Sequence, residues 1–333
     1  MKKILLIGGA GYIGTVLTDY FLKKGFYVRS LDLFIYNNKI CIQPFLNSEY
    51  YENYFGDLCK KNVLENALED VDHVVILAGL VGDPITKKYP NESIAINDVG
   101  IQNCIDLLNG KGLKNVIFVS TCSNYGFIED NELADEENEL KPLSIYAKSK
   151  VAAEKYIMGL EGKVDYSPTI LRFATAFGLS NRMRFDLTVN EFTRELALGR
   201  ELLVYDADTW RPYCHVRDFC RLIDLVLHST EEKIAFEVFN AGGEENNYTK
   251  KGIVNALIEQ LPNSNVKYKE HGDDPRNYRV NFKKVKKTLG FEPKYTVSDG
   301  IKEVLMELEN HTFDNVDRQR NLYGNYEIKY PKK

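Results

Sequence analysis

The chain has 333 residues, enough for one large core and a smaller lobe, because single cores stop growing near ~250–300 residues. With 44% hydrophobic and 27% charged residues it is an ordinary globular chain, and no stretch approaches the ~20 apolar residues of a membrane helix. A net charge of -5 excludes general attraction to nucleic acid, so an anionic ligand needs a local basic pocket.

Residues 3–7 form a short continuous apolar run, the pattern of a strand buried on both faces of a parallel sheet. Residues 14–24 carry helical periodicity through Val16, Leu17, Phe21 and Leu22, and 27–31 read as a second strand ending at Asp32. The strand pattern repeats at 71–77 and 116–120, separated by a helix over 93–108; a long helix over 146–158 and a strand over 169–173 follow. The alternation predicts an α/β fold, a doubly wound parallel sheet of Rossmann type with a smaller, mostly helical substrate-binding lobe. Residues 1–178 and 213–242, including a strand over 234–240, are assigned to the sheet domain. Residues 179–212 and 243–310 are assigned to the lobe. The tail, 311–333, reads as a disordered end or an arm on a neighbouring subunit. The acidic stretch 129–139 reads as a solvated loop, and the basic run 283–287 as a helix face.

Cys41, Cys59, Cys104, Cys122, Cys214 and Cys220 include no CxxC pair, and the five histidines lack metal-ligand spacing. A disulfide framework and a metal site are not expected, and reduced thiols suit the cytoplasm. The opening Met-Lys-Lys-Ile-Leu-Leu-Ile has the head of a signal peptide, but its apolar run ends after four residues, too short for an h-region.

Gly8-Gly-Ala-Gly11-Tyr12-Ile13-Gly14 follows a strand and opens a helix, as a dinucleotide fingerprint requires. Gly8 permits the tight turn, Gly11 lets the backbone approach a pyrophosphate, and Gly14 allows close packing of helix on strand. The helix N-terminus offers free N–H groups to the phosphates. Asp32 closes the second strand, where a carboxylate accepts bonds from both ribose hydroxyls and repels a 2′-phosphate; the expected cofactor is NAD. Asp57-Leu58 follows another short strand and either caps the adenine amino group or caps the helix before Val63.

Tyr146 and Lys150 stand four apart on a helix and share one face. A phenol has a pKa near ~10, and bringing it down by about three requires roughly 4 kcal/mol. An ammonium at ~4 Å supplies about that at an effective dielectric of ~20. Lys150 can do this while holding the nicotinamide ribose.

These pieces resemble the extended short-chain dehydrogenase/reductases, the branch of NAD-dependent sugar-nucleotide epimerases and dehydratases, over residues 3–310. The resemblance rests on the glycine turn, Asp32, Asp57-Leu58, Leu77-Ala78-Gly79, Asn97 in Asn-Asp-Val-Gly100, Ser120–Gly126, Tyr146-x-x-x-Lys150, Leu171-Arg-Phe173 and Trp210–Asp218. It implies that Tyr146 is the catalytic base and that Thr121 hydrogen-bonds the same sugar oxygen. Lys150 would bind the ribose, with Leu77, Ala78, Gly79, Asn97 and Phe173 beside the cofactor. Arg211 and Arg276 would grip the sugar-nucleotide diphosphate, which suits a guanidinium fork. Ser123, Thr175, Arg184 and Asn190 are further substrate candidates, and Asp83 either faces the sugar or is a turn residue.

The dehydratases of this family follow the Thr with Asp-Glu; here Cys122-Ser123 follow Thr121 and offer no carboxylate. Relatives that use a cysteine place it two residues before the Tyr matching Tyr125, where Ser123 stands; Cys122 is then a small buried residue, although a sulfur is near. What remains is hydride transfer at C4. It ends in a 4-dehydrogenase, a 4-epimerase or, run in reverse, a 4-ketoreductase. A non-catalytic NAD sensor is the remote alternative. Leu77–Pro84 and Thr175–Asn190 resemble a bacterial surface-polysaccharide subgroup, which implies oxidation of a GDP-linked heptose in capsule synthesis. The resemblance also implies a homodimer or homotetramer paired through the helices over 93–108 and 146–158. The only ligand classes expected are NAD and a nucleotide sugar, with no nucleic acid and no membrane.

Overall fold

The short apolar runs become the strands of one parallel sheet. The computed structural model describes residues 2–129, 132–272 and 274–330; Asp130 and Asn131 of the acidic stretch and 331–333 of the tail lie outside the described residues. Lys3–Ile7 (β1) leads into Tyr12–Lys23 (α1) and Tyr27–Asp32 (β2), then Tyr51–Phe55 (β3), Lys61–Ala67 (α2) and His73–Ile76 (β4). Asp83–Lys88 (α3), Pro90–Ser93 (α4), a π-helical stretch Ile94–Gly100 and Ile101–Leu108 (α5) come next. Asn115–Thr121 (β5), Ile145–Met158 (α6) and Ser167–Phe173 (β6) complete the alternation.

The chain then leaves the sheet through Thr175–Phe177 (β7), Thr188–Ala197 (α7), Leu202–Tyr205 (β8) and Trp210–His215 (β9). It returns by Val216–Leu227 (α8) and Glu231–Ile234 (α9) to Glu237–Ala241 (β10). Asn247–Thr249 (β11), Lys250–Gln260 (α10), Val266–Lys269 (β12), Lys283–Leu289 (α11) and Val297–Glu309 (α12) follow. The main sheet has seven strands in the order β10-β6-β5-β4-β1-β2-β3, every pair parallel.

The continuous apolar run of β1 has a direct cause. Ile4 and Leu6 enter one core cluster with Leu17 and Phe21 of α1, while Leu5 and Ile7 enter the other with Leu64, Ile105 and Leu108. Successive side chains point to opposite faces, and both faces are covered by helices. Each such side chain contributes ~1.5–3 kcal/mol by leaving water.

The helix expected over 93–108 is continuous in path but not in type. Asn97 turns its amide onto Leu80, and a Cβ added at Gly100 would lie 2.5 Å from the Cys59 sulfur. The π-helical stretch spans both residues; such wide turns collect at functional sites.

The lobe is helical around a core of Val189, Ile253, Leu257, Val297 and Ile301, but it also carries two small sheets, β11-β9-β7 and β12-β8. The described tail, 311–330, is neither loose nor extended away from the chain. Val316 is buried and Phe313 and Tyr323 pack with it beside Met183 and Phe185, while Ile328 and Tyr330 pack on the sheet's second cluster. The apolar residues scattered in a polar tail are what dock it.

Candidate active site

The carboxyl ends of β1, β2, β4, β5 and β6 open on one cleft of about 930 Å³ that continues to the lobe. It lies where the strand order reverses between β1 and β4, the position at which doubly wound sheets bind ligands.

The glycine turn fits a dinucleotide. Gly8 has φ +90°, and a Cβ there would sit 2.8 Å from the Ala78 nitrogen; at Gly14 it would sit 2.5 Å from the Gly9 carbonyl. Gly9, not singled out by spacing, is as constrained: its Cβ would meet the Ser30 hydroxyl at 2.2 Å. Gly11 caps α1 without a side-chain bond, which leaves the first-turn N–H groups of Tyr12, Ile13 and Gly14 without intrahelical partners at the cleft. Tyr12 can serve a cofactor only through its backbone, because its hydroxyl donates to Gly178 O at 2.6 Å.

Asp32 accepts N–H bonds from Ala10 at 3.0 Å and Phe34 at 2.7 Å, which fix its carboxylate at the cleft. Burial raises its pKa against those bonds. Leu77, Ala78, Gly79 and Phe173 line the same space, as do Asp57 and Leu58. Asp57 is not a helix cap: α2 is capped at Lys60, and Asp57 Oδ1 accepts the Cys59 N–H at 2.9 Å.

At the end of β5, Thr121 lines the cleft with Tyr146 and Lys150 of α6. The Ser144 hydroxyl caps α6 by accepting the Ala147 N–H at 3.1 Å, so Tyr146 and Lys150 project from its first turns. The expected lowering of the Tyr146 pKa is not what this arrangement produces. Burial pushes the phenol above its ordinary 10, with Arg184 and Arg276 pulling down and Asp83 pushing up. Lys150 Nζ instead donates to Val119 O at 2.7 Å and lies 5.9 Å from the Tyr146 ring centroid. Burial brings the lysine down from 10.5 to about 8.

Thr121 Oγ1 donates to Ser123 Oγ at 3.1 Å, and Ser123 Oγ lies 3.3 Å from the Tyr278 hydroxyl and 3.4 Å from Arg276 Nη1. A polar chain thus links Thr121 to Arg276 and Tyr278. Arg276 forks onto Asp274 with two bonds of 2.7 Å and reaches Asp83 at 3.0 Å; Arg211 lies 3.1 Å from the same Asp274. Asp83 is therefore an ion-pair partner inside the cleft, at the start of α3. Thr175 and Arg184 also line the cleft, with Arg184 forked onto Asp186.

Two expected contacts fall elsewhere. Asn97 does not line the main cleft; it accepts from Leu80 N and donates to Leu80 O, clamping the loop after β4. Asn190 is wholly buried, accepting from Gly178 N at 3.0 Å and donating to Arg184 O at 3.0 Å. Both amides position backbone rather than ligand. Cys122 is 1% exposed, donates to Arg172 O, and burial pushes its thiol up, so it is no base.

Tyr278, Lys250, Arg182 and Tyr330 line the cleft without having been singled out. Tyr278 had a signal in its place two residues after Arg276. The other three had none. Arg182, 2% exposed, stacks on Tyr36 at 4.8 Å, and burial lowers its guanidinium to about 10. Among the described residues no His, Cys, Asp and Glu cluster could hold a metal, and no helix is long and apolar enough to cross a membrane.

Residues 4–242 match the family model described as "NAD dependent epimerase/dehydratase family". The chain belongs to that family. Members of the epimerase/dehydratase family are NAD-dependent enzymes, which makes NAD the cofactor of this cleft and removes the sensor alternative. The chain is 28% identical over 338 residues to a UDP-N-acetyl-alpha-D-glucosaminuronate decarboxylase of Bacillus cytotoxicus, covering 93% of this chain and 99% of the relative. It is 26% identical over 311 residues to a UDP-glucose 4-epimerase of Corynebacterium glutamicum, covering 88% and 92%. Its fold matches a UDP-glucuronic acid 4-epimerase of Bacillus cereus, solved with UDP-glucuronic acid and NAD, at TM-score 0.83, 23% identity and coverage of 93% and 99%.

Proposed function

We propose that this epimerase/dehydratase-family enzyme oxidises a nucleotide-linked sugar at C4. The observation that carries the reading is the shape of one cleft. Its dinucleotide turn meets Thr121, Tyr146 and Lys150 in the middle, and Arg211 and Arg276 stand at the lobe end. Bound NAD supplies the hydride acceptor. Tyr146 takes the proton of the C4 hydroxyl, and the Thr121 hydroxyl, turned from Ser123 to the sugar, donates a hydrogen bond to the same oxygen as it becomes a carbonyl. Arg211 and Arg276 hold the diphosphate, and the Thr121–Ser123–Tyr278 chain faces the sugar between them.

Dehydration is disfavoured because no carboxylate follows Thr121, and cysteine chemistry because Cys122 is buried and bonded to Arg172 O. The finer reading is a 4-dehydrogenase acting on a GDP-linked heptose in bacterial capsule synthesis. It rests on the subgroup resemblance of Leu77–Pro84 and Thr175–Asn190, whereas the relatives named above carry UDP-linked sugars in their names. A 4-epimerase is the second reading, favoured by two of those relatives. A 4-ketoreductase is the third, the same transfer run in reverse, with the Tyr146 phenol giving its proton to the ketone. The proposal includes a cytoplasmic enzyme and a homodimer or homotetramer paired through the helices over 93–108 and 146–158, where Ile94 and Val99 are exposed.

Incubating the protein with a panel of GDP- and UDP-linked sugars in deuterated water, read by NMR, tests the reading. A 4-keto product with reduced cofactor marks the dehydrogenase, and an epimer marks the second reading. No ketone, epimer or reduced cofactor across the panel refutes C4 oxidation.

A further inference from the structure

The described tail does more than cover apolar surface. Its last ten residues cross the mouth of the cleft and are bonded on both sides of it. On the lobe side, Tyr323 O accepts the Phe185 N–H at 2.8 Å, and Gly324 O accepts from Arg182 Nη2 at 3.0 Å. Asn325 sits between, donating its backbone N–H to Asp186 Oδ2 at 3.1 Å and its side chain to Val81 O at 2.9 Å. On the sheet side, the Lys329 N–H donates to Ile35 O at 3.0 Å, and the Tyr330 hydroxyl donates to Asp57 Oδ2 at 2.9 Å. Ile35 follows β2 and Asp57 follows β3, the edge where the adenosine half of a dinucleotide lies. Asn325, Tyr326 and Tyr330 all line the cleft.

We propose that residues 321–330 are part of the cofactor site, with Tyr330 positioning Asp57 for the adenine and the segment strapping the NAD in place. The proposal rests on NAD occupying this cleft and not on which sugar is oxidised. Asp57 Oδ1 takes the Cys59 N–H and Oδ2 takes Tyr330. Each carboxylate oxygen accepts in two directions, so the carboxylate is fixed and still free to accept from the adenine amino group. Without the Tyr330 hydroxyl, one bond remains to orient it. Departure of the cofactor past the β2–β3 edge requires the strap to lift, which breaks bonds to both lobe and sheet and uncovers Ile328 and Tyr330.

The test is the rate at which bound NAD exchanges for isotopically labelled NAD in the full-length protein, followed by mass spectrometry. Tyr330→Phe keeps the ring and its packing, and should speed exchange about tenfold or more, the effect of losing one bond to a charged acceptor. Asn325→Ala should speed it independently, and the double variant further. Hydrogen exchange gives a second reading: the backbone amides of 325 and 329 should be more protected in wild type with NAD than without. Unchanged exchange rates in both variants, or no NAD-linked protection of the segment, overturn the proposal. A wild type that binds no NAD overturns it by removing the cofactor reading itself, a result distinct from turnover failing on every sugar.

Discussion

Replacing Lys150 by methionine should remove activity while changing how stability depends on pH. Lys150 is 7% exposed, with one bond to Val119 O and its ammonium 4.5 Å from the Phe118 ring centroid. Burial places its pKa at about 8 against an ordinary 10.5. That difference, 10.5 less 8 at ~1.36 kcal/mol for each, is a penalty of about 3 kcal/mol on holding the ammonium in the folded chain at pH 7. Methionine fills similar volume without the charge, but it leaves Val119 O without a donor, which costs about 1–3 kcal/mol. The two nearly offset at pH 7, so the decisive quantity is the slope. Between pH 8 and 10.5 the unfolded chain binds more protons at this residue than the folded chain, so wild-type stability rises with pH across that window. The variant lacks that gain. Urea unfolding of NAD-free wild type and Lys150→Met at pH 7, 8.5 and 10 should show the wild type gaining about 2.5 kcal/mol on the variant between pH 7 and 10. Turnover at pH 7 should fall by about 10²-fold or more. A stability difference that does not move with pH would refute the buried, depressed ammonium.

Tyr146→Phe should lower turnover by about 10²–10⁴-fold with NAD affinity unchanged, read by steady-state rates and cofactor titration. Glu154→Gln should destabilise by about 3–5 kcal/mol in urea unfolding, because Arg172, 5% exposed and paired to Glu154 at 2.8 Å, would keep its buried charge unmatched. Asn190→Ala should cost about 1–3 kcal/mol of stability. Its KM for the sugar nucleotide should stay near wild type, since Asn190 braces Gly178 and Arg184 and lies outside the cleft.

The main sheet was legible because burial on both faces writes a continuous apolar run, as in Ile4–Ile7, and because a close backbone approach demands glycine at fixed local spacing. The Tyr146–Lys150 pair was legible for the same reason: four residues along a helix is a local relation. Where the lysine points is not local. Nothing between Tyr146 and Lys150 tells that Nζ turns to Val119 O, 31 residues away in the chain. Asn97 and Asn190 looked like ligand contacts because their position in motifs is visible and their partners are not. Asn97 binds Leu80 and Asn190 binds Gly178 and Arg184, contacts made only once loops have folded against each other. The strap was hidden most deeply. A polar segment with scattered aromatics carries no periodicity, and its meaning lies in Ile35, Asp57, Val81 and Asp186, all contributed by distant elements.

The lobe end of the cleft shows how a negatively charged protein prepares for a negatively charged ligand. Arg211 and Arg276 converge, and like charges that close require counter-charge in the unliganded protein. Asp274 supplies it to both arginines, held below the ordinary carboxylate range because the Arg276 fork and Arg211 outweigh the effect of burial. Asp83 supplies more from the sheet side, through Oδ2 alone; its Oδ1 has no partner among the described residues. The two carboxylates therefore differ in how firmly they hold. On the proposed reading, an entering diphosphate exchanges one anion for another at Arg276, so its affinity is a difference between two charged pairings and far less than the raw attraction of two guanidiniums. Asp83, bound by one oxygen, is the easier to displace. On that reading the displacement removes the tie from α3 to Arg276, while the Ser123 Oγ contact with Arg276 Nη1 at 3.4 Å still holds the arginine to the end of β5.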